Sequence, residues 1–330
     1  MTATTPTNTP VHTGYAAQAD LFAQARSIAS PLETPPLAQI IAIDLGDGGA
    51  KHIVDVHERA FESTGADVMS TILPSTVSQH ELNSTIEAAN ANNSIDGILL
   101  LIPVPPQIDF VEALSHIDPT KDIEGVHPAH AVHLLSTSTT DTTTLPRRPV
   151  VMDAFVELFA QAEVSLTRPN LNVTIVSDVE IIDNNPLANL MVRAAAAVVF
   201  PSTVNLSLVT LSNSSTRSTL RTADIVVVSL LRPRYLDRDW FKEGAVVLDF
   251  APNVIGTKTL KNGRQVPELC GGVNVDSAIS IVSKIFPIPS GIGPVMLGAL
   301  ARNLAESARY RRARLDDLGE TTVSTVHASE

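Results

Sequence analysis

Apolar runs of strand length alternate with amphipathic segments along this chain. LAQIIAIDL at 37–45 is a continuous apolar run. HIVDVHERAFESTG at 52–65 repeats apolar positions at helical spacing and closes on Gly65. ADVMSTILP predicts a second strand, SQHELNSTIEAANAN a second helix, and IDGILLLIPVP at 95–105 a third, buried strand ending in prolines. Repeated β-α-β predicts a largely parallel sheet with helices on both faces. The Thr-rich stretch STSTTDTTTLPRRP at 136–149 marks a domain boundary. Beyond it, 150–164 reads as a connecting helix. LNVTIVS at 171–177, then 202–211, 222–231 and 244–252, read as strands, with 269–275 as a candidate last edge strand. PVMLGALARNLAESARYRRARL at 294–315 predicts a long closing helix whose basic RYRRAR run is its solvated end. Residues 1–12 and 316–330 read as loose tails. No internal repeat suggests a solenoid.

The turn after LNVTIVS is DVEIIDNNP, residues 178–186, with a helix beginning near Pro186. In an α/β protein such a turn is where a dinucleotide's phosphates sit, on glycine backbone and helix N–H groups. This turn has no glycine and carries Asp178, Glu180 and Asp183. A carboxylate a few ångströms from a pyrophosphate repels it by about 1 kcal/mol or more even in a wet site.

Composition narrows the partners. A net charge of −12 argues against nucleic acid or an anionic membrane, both of which need clustered Lys and Arg. The single cysteine, Cys270, cannot form an internal disulfide, which fits a reducing, cytoplasmic compartment. In its apolar surroundings it reads as core. Too few thiols remain for a structural zinc site; nine histidines leave other metals formally open, and no metal site is assigned. The N-terminus has neither the basic and apolar regions of a secretory signal nor the arginines of a presequence, the first being Arg26. No apolar stretch is long enough to span a membrane.

Three segments then carry a family resemblance. DGILLLIPVPPQID at 96–109 resembles D-G-I-L-V-Q-L-P-L-P, DPTKDIEGVHPAH at 118–130 resembles P-x-K-D-V-D-G-F-H-P, and FPIPSGIGPVM at 286–296 resembles T-P-V-P-G-G-V-G-P-M. Their order and intervals are those of the bifunctional methylenetetrahydrofolate dehydrogenase/cyclohydrolases. Weaker matches, LPRRP and ADIVVVSLLRPRYLDRDWFKEGAVVLDF, link them, and the resemblance covers roughly residues 35–305. It implies two α/β domains around a cleft, the second Rossmann-like, with the C-terminal helix returning to the first. Residues 13–148, completed by 287–315, would be the folate and catalytic domain, and 149–286 the Rossmann-like domain. Folate would bind in the cleft, NADP on the second domain, and the chain would form a homodimer.

Residue by residue the resemblance is uneven. Anchored on Pro186, the nucleotide turn has Asp178 and Asn184 for its two glycines, Glu180 for its serine and Asn185 for its arginine. Leu231 replaces the glycine of A-x-G-x-P, and only the distant Arg217 offers a positive charge after the next strand. On the catalytic helix, His57 stands at the family's lysine and Ile53 at its tyrosine. Histidine can also move protons near neutral pH, although a polar residue on an amphipathic helix needs no such role. Leu101 replaces the glutamine that partners the lysine, one residue pair before the motif's Pro103. The folate side is better kept. Asp122 and Glu124 stand at the family's two aspartates, the second of which accepts the pterin's paired N–H donors. Pro289, Ser290 and Gly291 keep the loop beside the folate, which also serves to open the last helix.

The resemblance therefore implies a folate-dependent enzyme processing the one-carbon unit of 5,10-methylene- or 5,10-methenyltetrahydrofolate without NADP. Asp122 and Glu124 would hold or polarise the folate and His57 would move protons, either to transfer methylene to an amine substrate or as an altered cyclohydrolase. Two alternatives remain at this point: a non-catalytic partner of an active homologue, and a conventional NAD(P)-dependent dehydrogenase.

Overall fold

The computed structural model describes residues 10–46, 49–130, 147–166, 168, 170–178, 199–200, 203–259, 263 and 265–326. The chain divides into two compact units. Unit I is Ala19–Val150 with Leu297–Glu330, and unit II is Met1–Gln18 with Val151–Met296. The boundary falls at 150/151 where the sequence suggested 148/149, and residues 287–296 cluster with unit II, not with the unit they were expected to complete.

In unit I, β1 (Leu37–Asp44) lies between β2 (Asp67–Pro74) and β3 (Gly97–Leu100), all parallel. β1 is buried because it is the central strand, and β3 is buried because the Lys121–Asp122 segment bridges it at Ile98, whereas the other edge strand, β2, leaves Met69 and Ile72 exposed. Helix α1 (Tyr15–Ala29) precedes them and was not anticipated. It buries Ala17, Leu21 and Ala25, one residue every four. Helix α2 (Gly49–Glu62) is followed by Gly65 at φ 84°, as its sequence predicts. Helix α3 (Gln79–Ala91) opens with a reciprocal capping box between Ser78 and Glu81. A short α4 (Phe110–His116) is capped by Asp109.

Helix α5 (Val150–Gln161) begins at the boundary, and unit II carries β4 (Asn172–Ser177), β5 (Asn205–Thr210), α6 (Thr216–Leu220), β6 (Ile225–Ser229) and β7 (Val246–Asp249). An antiparallel hairpin follows, β8 (Asn253–Thr259) with β9 (Gln265–Cys270), then α7 (Val275–Ala278) and β10 (Lys284–Phe286). The main sheet is parallel in the order β10-β7-β6-β4-β5. The chain moves from β4 outward to β5 and then returns to β6 on the other side of β4. That reversal is the topological switch point of a Rossmann-like sheet. Helix α8 spans Ile292–Val326.

Four sequence expectations are corrected. Residues 269–275 do not form an edge strand of the main sheet; their first two residues end the β9 hairpin strand, where Cys270 is buried. The end of the supposed N-terminal tail is fixed, since Val11 bridges Ile285 and Pro10 accepts the Ile285 N–H. The C-terminal stretch is helical to Val326. The basic run is not a solvated end: Arg312 pairs with buried Asp96 at 2.6 Å and donates to the Thr34 and Pro35 carbonyls. Arg311 donates to Thr120 Oγ1 at 2.8 Å. The Thr-rich loop over 136–146 and the helix from Pro186 lie outside the described residues.

Candidate functional site

The segment 118–130 is built onto β3. Ile98 N–H donates to the Lys121 carbonyl at 2.7 Å, and a parallel bridge sets Asp122 beside Ile98. Lys121 is buried and its Nζ donates to the carbonyls of Ala89, Asn90 and Asn92 at 2.9, 2.7 and 2.8 Å. Three ammonium donors thus satisfy three carbonyls at the open end of α3. Burial, with Arg311 nearby, brings the lysine down to about 8.

Asp122 organises the next turn. Its Oδ1 accepts the Glu124 and Gly125 N–H groups, each at 3.0 Å, and its Oδ2 accepts the His127 N–H at 2.7 Å. Gly125 sits at φ 75°, and a side chain there would run into the Arg148 carbonyl, so only glycine closes this turn. His130 is buried behind it, with Nε2 3.1 Å from the Pro119 carbonyl and 3.6 Å from Asp122 Oδ2. Burial, Arg147 and His127 lower its pKa, against the opposing pull of Asp122. His127 accepts the Ala129 N–H at Nδ1, and its Nε2 is 3.3 Å from the Ser115 carbonyl. Both Asp122 oxygens accept backbone amides, which suits this carboxylate to positioning the turn.

Glu124 differs from its neighbour. Its main chain is pinned at both ends, N–H to Asp122 and carbonyl to Val150 N–H at 2.9 Å. Its carboxyl has no hydrogen-bond or ion-pair partner among the described residues. Burial, reinforced by the like charge of Asp122, pushes it up to about 8.

His57 is half-buried on α2, and its Nδ1 is 2.8 Å from the Ile53 carbonyl one turn back. That contact makes Nδ1 the protonated nitrogen and leaves the Nε2 lone pair as the available base. Burial lowers its pKa, and the bond to Ile53 only partly opposes this, so the ring is neutral at pH 7. Of the other expected folate residues in unit I, Leu101 is buried with its N–H on Ile41, and Pro103 is exposed after a cis peptide bond.

In unit II, Pro289 is exposed, also after a cis bond, and the Ser290 carbonyl accepts the Gly14 N–H at 2.8 Å. Gly291 N–H closes the turn onto Pro287 at 2.6 Å. A Cβ on Gly291 would lie 2.9 Å from Pro287 O, so glycine is required for this turn.

At the switch point, Asp178 follows β4 and is buried. Its Oδ2 accepts the Leu231 N–H and its Oδ1 the Arg232 Nε, both at 3.1 Å. The expectation of an uncompensated repulsive charge at Asp178 is corrected: Arg232 neutralises it. Arg232 also stands 5.5 Å from the Tyr235 ring, and Arg217 stands 5.2 Å from Trp240. Leu231 is 48% exposed. Asp249, at the end of β7, is buried and accepts the Gly272 and Val273 N–H groups at 3.1 and 2.9 Å. Burial pushes it up to about 7 despite those bonds. Glu180, Asp183, Asn184 and Asn185 lie outside the described residues.

Comparison with known proteins decides the family. Residues 14–124 match the tetrahydrofolate dehydrogenase/cyclohydrolase catalytic domain, and residues 149–312 match its NAD(P)-binding domain. The chain belongs to the tetrahydrofolate dehydrogenase/cyclohydrolase family. It is 29% identical over 313 residues to the bifunctional protein FolD of Campylobacter curvus, covering 92% of this chain and 96% of that protein. The FolD of Trypanosoma brucei, solved with NADP and an inhibitor, superposes with a TM-score of 0.74 at 24% identity, covering 92% and 98% of the two chains. That of Campylobacter jejuni gives 0.70 at 22% identity, covering 91% and 99%. The two-domain α/β architecture with a Rossmann-like NAD(P)-binding domain is thus that of the family. Within this frame, Glu124 and His57 are the positions that the motifs single out as candidates. Lys121, Arg147, His130 and Arg232 were not singled out, although all four lie inside the segments that carry the resemblance. No helix among the described residues is long and apolar enough to cross a membrane.

Proposed function

We propose that this family member processes the one-carbon unit of 5,10-methylene- or 5,10-methenyltetrahydrofolate without NADP-linked hydride transfer. The observation that carries the reading is the contact of Asp178 with Leu231 and Arg232 at the switch point. A dinucleotide needs open backbone N–H groups there. Here one N–H is taken by a side chain, and a carboxylate stands where the family has glycine. This pairing argues against the family's cofactor at the start of the turn.

The folate side supports binding. Glu124 offers an unpartnered carboxyl on a fixed backbone, suited to the pterin's adjacent N–H donors. In unit I, Leu101 and Ile53 would supply apolar surface and Pro103 a wall. His57 Nε2, unprotonated at neutral pH, would accept a proton from an attacking amine or water. Asp122 would position Glu124. Methylene transfer to a second, amine-bearing substrate and an altered cyclohydrolysis both use this set. The chain would act as a cytoplasmic homodimer.

A conventional dehydrogenase is the second reading, favoured by the match of residues 149–312 to the NAD(P)-binding domain. Calorimetric titration with 5,10-methenyltetrahydrofolate, repeated with NADP, separates the two. Folate binding without NADP binding is expected. NADP binding, or nicotinamide reduction on adding methylenetetrahydrofolate, would establish the dehydrogenase.

A further inference from the structure

We propose that Glu124 meets the pterin as a neutral acid and gives up its proton on binding, and that Asp122 is the positioning residue that sets this exchange. The inference rests on the folate reading above and adds to it a proton that leaves whenever ligand enters.

The geometry begins with the turn. Asp122 spends its oxygens on the N–H groups of Glu124, Gly125 and His127. It therefore fixes the Glu124 main chain while keeping its own negative charge two residues away. Among the described residues, burial and Asp122 are what act on the Glu124 carboxyl, and both raise it. Lys121 is turned away to the carbonyls of Ala89, Asn90 and Asn92. Arg147 is committed to the Asn303 carbonyl, Ser307 and Glu306. His130 lies on the Pro119 side, with its pKa lowered, and His127 is tied to Ser115 and Ala129. A half-buried, unpartnered carboxyl beside a fixed like charge holds its proton more tightly than an exposed one, up to about 8.

A neutral acid has one donor and one acceptor, whereas the pterin edge presents two adjacent N–H donors. The acid's O–H would oppose one of them. Losing that proton to solvent converts the carboxyl into two acceptors, and the ligand's donors replace the stabilisation that water did not supply. The balance is one proton from Glu124 to buffer for each ligand bound, with no covalent change.

The test is calorimetry at pH 7 with the stable 5-formyl derivative of tetrahydrofolate, in phosphate and in Tris. The two buffers differ in ionisation enthalpy, so the difference in observed heat counts protons. The expected result is release of nearly one proton per ligand by the wild-type chain and none by Glu124→Gln. Asp122→Asn keeps an Oδ1 acceptor for the Glu124 and Gly125 N–H groups but removes the charge, and its release at pH 7 should be smaller. Binding with the same heat in both buffers overturns the exchange while leaving the folate reading standing. Equal release by Glu124→Gln overturns Glu124 as the source, and equal release by Asp122→Asn overturns its part. No binding heat in either buffer overturns both this proposal and the folate reading.

Discussion

Asp178 and Arg232 meet across the switch point of the unit II sheet, carboxylate Oδ1 to guanidinium Nε at 3.1 Å, with the Leu231 N–H on the other oxygen. The carboxylate is buried and the arginine is half-exposed. The contact ties the strand ends of β4 and β6 at the place where a Rossmann sheet normally receives phosphate. Arg232→Ala should leave the buried carboxylate with the Leu231 N–H as its donor among the described residues and cost about 1–3 kcal/mol. Urea unfolding of the purified chain checks this. An unchanged midpoint would mean that the pair is an ordinary surface contact, worth little.

His57 carries the clearest kinetic expectation. With Nδ1 bonded to the Ile53 carbonyl, only Nε2 can take a proton. His57→Ala should abolish turnover of the one-carbon unit while folate affinity changes little, a loss of kcat at nearly constant Kd. Rates and calorimetric affinities measured on the same preparations decide it. Retained turnover would remove the histidine from the chemistry.

How much of this could be read from sequence depends on where each partner sits. β1, β3, β4 and β6 were visible because strands buried on both faces read as unbroken apolar runs. Helix α1 was not, since its buried stripe of Ala17, Leu21 and Ala25 contains only one large side chain. The β8–β9 hairpin was hidden because most of β8 is exposed and carries no alternating apolar pattern. Glu124 and His57 were singled out through motif position. Lys121 stood in the same motif, but its partners are backbone carbonyls about 30 residues earlier, as the separations of 29 to 32 show. Arg232 went unnoticed because Asp178 is 54 residues away, and like charges nearby in sequence suggested repulsion instead.

The tether from α8 to Asp96 should matter for unit I. Asp96 is buried; one of its oxygens accepts the Leu37 N–H, and both receive Arg312. Arg312→Ala strands part of that carboxylate and removes the donors to Thr34 and Pro35. The expected cost is about 2–4 kcal/mol, since a buried charge loses its partner. Arg314 is exposed, donates to Tyr310 and stands 5.5 Å from its ring, and Arg314→Ala should lie within about 0.5 kcal/mol of wild type. Comparable losses in both variants would show that the basic run acts through helix charge and not through Asp96.

Glu124 also predicts how stability follows pH. Its carboxyl is held near 8 when folded, against 4.5 as the ordinary value. The folded chain therefore binds more protons than the unfolded chain between those limits. Stability from this group is fully present below about 4.5 and is lost as pH rises to about 8. Asp249, pushed up to about 7, slopes in the same direction, so the wild-type curve alone cannot isolate Glu124. The comparison with Glu124→Gln can, because glutamine keeps the shape and never ionises. At pH 8 the variant should be more stable than wild type by about 1–3 kcal/mol, less than the full ~1.4 kcal/mol per pKa unit because Glu124 is only half-buried. At pH 5 the two should nearly coincide. Denaturant midpoints at both pH values measure the difference, and parallel curves would show that Glu124 is already ionised in the free protein.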